Sequence, residues 1–338
     1  MSDLRYLGRR PAAPAPPNVS IPDWKQCDPG FLQRSLAHAL GKSAGGWFVL
    51  GARRSLGHQG PEKLMVDGHE LVLWRVDGRP LVAPAACPHL GADLSCGQVD
   101  GTRLVCPWHG LRLSPRGQGR WRPFPVHDDG VLLWVRLPVA GETPTDAPVL
   151  APRPPVFLDG VVRMEAHCAP EDVIANRLDP WHGVHFHPHS FATLQVLEAR
   201  EDRLTLRVAY RVIGRLAVEV DATFHCPDRR TIVMTIIGGE GVGSVVETHA
   251  TPIEPGRTAV IEATLATSER PGFRKHASKV AALARPFIEA RAARLWLDDV
   301  AYAERRYALR CRRDDAPSAV GAEPGASRSS SRVHLRTA

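Results

Sequence analysis

The chain has 338 residues, 43% of them hydrophobic and 23% charged, with a net charge of +7. That length holds two cores, the composition is that of a globular protein, and no apolar run reaches the roughly 18–20 residues that span a bilayer. The charge invites a nucleic-acid reading, but its placement argues otherwise: residues 305–338 carry eight Arg against three acidic groups, residues 1–26 carry four basic groups against two acidic, and 27–304 is near neutral.

In chain order, residues 1–46 read as an N-terminal arm and a short helix. The opening MSDLRYLGRRPAAPAPP follows Arg9 and Arg10 with Pro and Ala, not with an apolar stretch. It reads as a polar, disordered or loosely packed arm, not as an export signal. Residues 29–41 read as a helix with Asp28 as N-cap, Pro29 in the first turn and Gly41 as the stop. Trp47–Leu50 starts a strand. Leu71–Val76 and Pro80–Ala83 flank Asp77-Gly78, a hairpin signal, and Val131–Val135 closes a small all-β unit over 47–138. Six prolines between Pro138 and Pro155 mark 139–155 as a linker.

A second unit is expected over 156–312. A helix-like segment lies near 170–186, and strand candidates follow at 192–199, 203–213, 216–226, 230–237, 244–252 and 258–267. Leu204, Leu206 and Val208 alternate with Thr205 and Arg207, as in a half-buried strand. Pro271-Gly272 is expected to end the sheet. A long helix rich in Ala, Leu and Arg then runs from about 276 to 310, kinked at Pro286. Antiparallel sheet followed by a long helix is an α+β pattern. Residues 313–338 read as a disordered basic tail, a solubilising end or a docking surface for an acidic partner.

Seven cysteines, an odd and scattered set, argue against a secreted disulfide scaffold and suit a reducing cytoplasm. Four residues form the first chemical constellation: Cys87-Pro88-His89, then sixteen residues, then Cys106-Pro107-Trp108-His109-Gly110. Each half offers one thiolate and one imidazole on a tight turn. A [2Fe–2S] centre with two Cys on one iron and two His on the other needs such a pair of loops. A zinc site could use the same residue types, but zinc spacing groups Cys with Cys and His with His.

The second constellation is Asn176-Arg177-Leu178-Asp179-Pro180-Trp181-His182-Gly183-Val184-His185-Phe186-His187. A non-haem Fe(II) that binds dioxygen takes two neutral His and one carboxylate on one face. His182 and His187 are five apart, which is not one face of a regular helix, and Gly183 could let the backbone loosen. His185 and His189 lie in the same region, so composition alone leaves the pair open. Gly238–Gly243 lacks dinucleotide-binding spacing and reads as a turn, so electrons are expected from another protein.

The stretch GHELVLWRVDGRPLVAPAACPHLGADLSCGQVDGTRLVCPWHG resembles the Rieske domain of the ring-hydroxylating oxygenases, the Rieske-type non-haem iron oxygenase family. Ala92 and Trp108 stand where respiratory Rieske proteins carry the cysteines of a stapling disulfide. The segment 176–187 resembles the family signature Asn-x2-Asp-x2-His-x4-His. The resemblance implies that Cys87, His89, Cys106 and His109 hold a [2Fe–2S] cluster and that His182 and His187 hold a mononuclear Fe(II). It implies that Asp179 bridges towards a cluster His of a neighbouring subunit and that Asn176 lies near the iron. The third ligand should come from the long helix, as Asp299 or Asp298; Asp299 followed five residues later by Glu304 matches the family pattern. The implied fold is a small all-β Rieske domain followed by a helix-grip (START-like) catalytic domain. The implied function is a terminal oxygenase, a head-to-tail homotrimer fed by a ferredoxin or NAD(P)H-dependent reductase. It would hydroxylate, dihydroxylate, demethylate or desaturate an apolar substrate, aromatic or terpenoid/carotenoid-like. The competing expectation is a Rieske electron carrier with a non-catalytic ligand-binding domain.

Overall fold

Asp28 opens the first helix as its sequence demands: its carboxylate accepts the N–H of Gly30 at 2.9 Å, and α1 runs over Pro29–Leu40. The computed structural model describes residues 4–12 and 26–314; the expected basic tail and most of the N-terminal arm lie outside them. The arm's described part is not loose. Arg5–Tyr6 forms β1, which pairs in parallel with Leu216 and Ala217. Arg10 adds an ion pair to Glu219 at 2.8 Å.

Nine short strands follow, β2 (Trp47–Ala52), β3 (Glu62–Val66), β4 (His69–Val76), β5 (Arg79–Pro84), β6 (Gln98–Asp100), β7 (Arg103–Val105), β8 (Arg112–Leu113), β9 (Val126–Asp128) and β10 (Leu132–Arg136). They make three three-stranded sheets, β2-β10-β9, β3-β4-β5 and β6-β7-β8. The expected hairpin is present. Asp77 and Gly78 both take positive φ, 49° and 76°, which is what a two-residue turn with the twist of its strands requires. Residues 137–157 carry no helix or strand. This connection is pinned by charge: Glu142 is buried and pairs with Arg230, and Arg153 bridges Asp129 and Glu247.

The second unit is one antiparallel sheet. Its strands are β11 (Leu158–Ala166), β12 (Phe191–Arg200), β13 (Arg203–Ile213), β14 (Leu216–Asp228), β15 (Thr231–Gly239), β16 (Val245–Glu254) and β17 (Arg257–Ala266). The order is β11-β17-β16-β15-β14-β13-β12, with β1 added to β14. All six strand candidates are strands. β11 was not expected, because its half-buried run LDGVVRMEA starts directly after the proline-rich connection. Gly239, Gly241 and Gly243 sit in the expected turn region with positive φ.

Three helices complete this unit, α2 (Pro170–Leu178), α3 (His182–Phe186) and α4 (Pro271–Asp314). The helix-like segment at 170–186 is therefore two helices. Pro180 disfavours helical geometry at Asp179, and α2 stops there. Pro271 opens α4 rather than merely closing the sheet, since a proline in the first turn gives up no helical hydrogen bond. Pro286 stays inside the continuous helix. α4 lies close on β11: a Cβ placed on Gly160 would stand 2.6 Å from Ile288 Cγ2, so only glycine permits this approach. Beneath the helix, Trp296, Ile174, Cys168, Cys226 and Val260 form one buried cluster.

Candidate metal centres

The two cysteine–histidine loops are built alike. The N–H of Gly91 donates to the carbonyl of Cys87 at 2.9 Å, and Gly110 does the same to Cys106 at 3.0 Å. Cys87 N–H then bonds Ala92, and Cys106 N–H bonds Leu111. Gly91 and Gly110 both take positive φ, 79° and 68°, and each closes its turn at a position that favours glycine. The result buries both sulfurs while bringing the two imidazoles together: the rings of His89 and His109 lie 4.9 Å apart. Leu90 and Trp108 stand exposed at the rim, 64% and 62% accessible. The four donors fit a two-iron cluster, with two thiols inside and two imidazoles outside. None of the described cysteines is paired in a disulfide.

The second centre lies where the α2–α3 break faces α4. His182 Nε2 is 3.2 Å from Asp299 Oδ1, and His187 Nε2 is 2.9 Å from the same oxygen. The two rings are 5.3 Å apart and inclined at 70°. The five-residue spacing works for a reason other than the one expected. His182 begins α3 and His187 caps it outside the helix, with φ −119° and ψ 54°, so Gly183 need not loosen the backbone. Gly183 is instead buried beside the Phe191 ring, 3.7 Å from where its Cβ would be.

The electrostatics suit a cation. Burial opposes the charge on His182, yet the Asp179 and Asp299 carboxylates outweigh it and push its pKa up to about 9. Burial would likewise raise the Asp299 carboxyl, but His182, His187 and Arg177 hold it well below the usual carboxylate range. Two imidazoles and a carboxylate so placed form the facial set that non-haem Fe(II) takes. Asn176 donates to Asp299 Oδ1 at 2.9 Å and is fully buried.

The two neighbouring acidic residues of α4 point in different directions. Asp299 is buried and faces both Nε2 atoms. Asp298 is half-buried and faces the other side of His187, 3.3 Å from its Nδ1, where it can orient the ring. His189 Nδ1 is 4.0 Å from the same Asp298 carboxylate, and His185 is exposed. Glu304 does not join the site; it accepts the N–H of His167 at 2.8 Å.

Asp179 is buried, and its nearest His182 atom, Nδ1, is 3.7 Å away, longer than a hydrogen bond. Its oxygens are held by the Trp181 N–H at 3.2 Å and by the Tyr302 hydroxyl at 3.2 Å, with Cys27 Sγ at 3.8 Å. Tyr302 and Cys27 were not foreseen. Tyr302 had a signal: it lies three residues beyond Asp299, on the same face of a helix.

Beside the three converging residues is a small cavity of about 50 Å3. Phe191, Leu194, Leu206, Val208, Phe224 and Leu295 form its apolar wall.

Residues 46–137 match the model described as "Rieske [2Fe-2S] domain" and residues 139–314 match "Domain of unknown function (DUF5914)". A 3-ketosteroid-9-alpha-monooxygenase oxygenase component from Rhodococcus rhodochrous is 37% identical over 76 residues, 22% of this chain and 20% of that protein. The chain thus aligns with about a fifth of the length of that relative. A crystal structure of dicamba monooxygenase bound to dicamba superposes with a TM-score of 0.60 at 17% identity, covering 82% of this chain and 92% of that one. An oxygenase–ferredoxin complex of carbazole 1,9a-dioxygenase gives 0.50 at 15% identity, over 75% and 80%. Residues 46–137 are thus matched as a Rieske [2Fe-2S] domain, and the overall fold is shared with the dicamba monooxygenase structure. Through more than half of its length it belongs to the family described as "Domain of unknown function (DUF5914)".

Proposed function

We propose that the chain is a terminal oxygenase component that takes electrons from a separate ferredoxin or NAD(P)H-dependent reductase and oxidises an apolar small molecule with dioxygen. One observation carries the reading: His182, His187 and Asp299 converge beside an apolar cavity, in a chain that also holds the cysteine–histidine loops. In this reading residues 47–138 form the electron-accepting unit, 156–312 the catalytic unit, and 139–155 the connection.

Cys87, His89, Cys106 and His109 would hold the [2Fe–2S] cluster, and His182, His187 and Asp299 the mononuclear iron. When bound, these groups supply one-electron transfer and dioxygen activation. The protein's own part is positional. With the metal bound, Asp298 would accept the Nδ1 proton of His187 and leave the Nε2 lone pair for the metal. Asn176 fixes the inner oxygen of Asp299. Asp179, locked by Tyr302, sets the potential around the Nδ1 side of His182. The apolar wall holds the substrate and keeps bulk water from the metal-facing atoms.

A head-to-tail homotrimer would set the cluster loops of one subunit against Asp179 of the next. The exposed Leu90 and Trp108 supply apolar contact for that or for a redox partner. A reducing cytoplasm suits a chain whose described cysteines are all unpaired. Hydroxylation, dihydroxylation, demethylation and desaturation are all open to this site. No helix of the described residues is long and apolar enough to cross a membrane.

The test is oxygen uptake by iron-loaded protein with a ferredoxin–reductase pair, screened against apolar ring and terpenoid compounds. Uptake that depends on one of these compounds and yields an oxidised product is expected. Cluster reduction without substrate-dependent uptake across the screen favours the electron carrier.

A further inference from the structure

The polar groups of the cavity fall into two sets. Asn176, Asp179, His182, His187 and Asp299 belong to the metal centre. Arg177 and Tyr210 line the same cavity and do not.

Arg177 is poorly satisfied where it stands. Its Nε is buried and has no hydrogen-bond partner. Its nearest carboxylate is Glu262, with Nη2–Oε2 at 3.7 Å, an ion contact too long for a hydrogen bond. That Glu262 oxygen already accepts Trp296 Nε1–H at 2.7 Å and the Thr248 hydroxyl at 3.3 Å. The guanidinium stands 5.7 Å over the Trp296 ring, which steadies its plane. Burial pushes the Glu262 carboxyl up, with Arg177 opposing the shift. Tyr210 is in a similar position: its hydroxyl has only the thioether of Met234, at 3.4 Å, a weak acceptor. Two strong donors in an apolar cavity, neither with a strong acceptor, cost free energy unless something else supplies one.

We infer that the substrate is an apolar ring or chain compound carrying an acceptor oxygen, carbonyl or carboxylate, and that Arg177, assisted by Tyr210, binds that oxygen and turns the apolar body towards His182, His187 and Asp299. This rests on the oxygenase reading for the role of the cavity. The assignment of donors to the cavity stands on the geometry alone. Arg177 follows Asn176 and precedes Leu178 in the last turn of α2, so the helix that fixes Asn176 on Asp299 also fixes the substrate anchor. Such an anchor selects compounds by one oxygen and leaves the rest of the molecule to shape.

Isothermal titration of the iron-loaded protein with naphthalene, 2-acetylnaphthalene and 2-naphthoate tests this. At least one of the two oxygen-bearing probes should bind about tenfold to hundredfold tighter than naphthalene, the size of a charge-assisted hydrogen bond. Arg177→Met should erase that gap, and Arg177→Lys, which keeps a donor and a charge, should restore part of it. Melting curves identify any variant that fails to fold, in which case Arg177→Lys and Tyr210→Phe carry the comparison through a narrowed gap. Equal binding of the three probes, binding of none, a gap that survives Arg177→Met, or equal loss of all three in that variant each overturns the assignment. Iron content and reductant-driven oxygen uptake, measured on the same preparation, judge the oxygenase reading separately: two irons per chain with an intact Arg177-dependent gap sinks that reading and leaves the anchor standing.

Discussion

His187 Nε2 and Asp299 Oδ1 lie 2.9 Å apart although 112 residues separate them in the chain. Neither position is free to drift. His187 caps α3 with its N–H on the Gly183 carbonyl, and Asp299 sits on α4 next to the buried Trp296 cluster. The contact is therefore held between two packed elements and buried.

His182→Ala should therefore abolish turnover and leave the cluster untouched, since the cysteine–histidine loops belong to separate three-stranded sheets. Visible and EPR spectra of the reduced variant check this. Loss of the cluster spectrum along with turnover points to a different role for His182.

Asp298→Asn keeps the shape but weakens the hold on His187 Nδ1. Partners of this kind typically change metal affinity by about tenfold to hundredfold. Iron titration of the metal-free variant should show a loss in that range, with the fold intact by circular dichroism. A larger loss than in Asp299→Asn would mean that the two acids have exchanged roles.

Tyr302→Phe removes the hydroxyl that holds Asp179 at 3.2 Å. Both metals should be retained, while electron passage between them slows. Single-turnover kinetics with a pre-reduced cluster measure it. Rates equal to wild type in this variant and in Asp179→Ala rule out an Asp179 route.

Arg153 ties the two units together, with Asp129 at 2.9 Å and Glu247 at 2.6 Å, all three side chains nearly buried. Burial would raise both carboxyls, but Arg153 outweighs it and holds them below their ordinary range. A carboxylate depressed in the folded state stabilises above its unfolded pKa and loses that contribution as pH falls through the folded value. The junction should therefore hold at neutral pH and weaken below about pH 4. Arg153→Met leaves two buried carboxylates uncompensated, which costs about 3–5 kcal/mol at neutral pH, a penalty that shrinks as acid protonates them. Urea unfolding across pH 3–7 reads both effects. A pH profile identical to wild type contradicts the junction's role.

Much of this was legible in sequence because the candidate ligands sit in short motifs. The two loops of Cys87–His89 and Cys106–His109 announce themselves by local spacing, and each glycine that closes a turn follows its cysteine by four. In β13 the expected alternation holds for Leu204, Thr205 and Leu206 but breaks at Arg207, which is buried and paired with Asp221. What the sequence left open came from tertiary contact. Asp298 and Asp299 are neighbours that differ only in which way α4 turns them, and that direction is set by packing of Trp296. Arg5–Tyr6 is a strand because Leu216 and Ala217 offer an open backbone, which nothing in the arm itself reveals. Arg177 looked like the filler of a motif, and its lack of a strong partner appears only once Glu262, more than eighty residues away, is in place.

Iron per chain, counted in wild type and in Asp299→Ala together with EPR of the reduced cluster, tests the central claim most directly. About three irons in wild type, falling to about two in the variant with an unchanged cluster signal, is the expected result. About two irons in both proteins would leave His182, His187 and Asp299 without a metal and contradict the account.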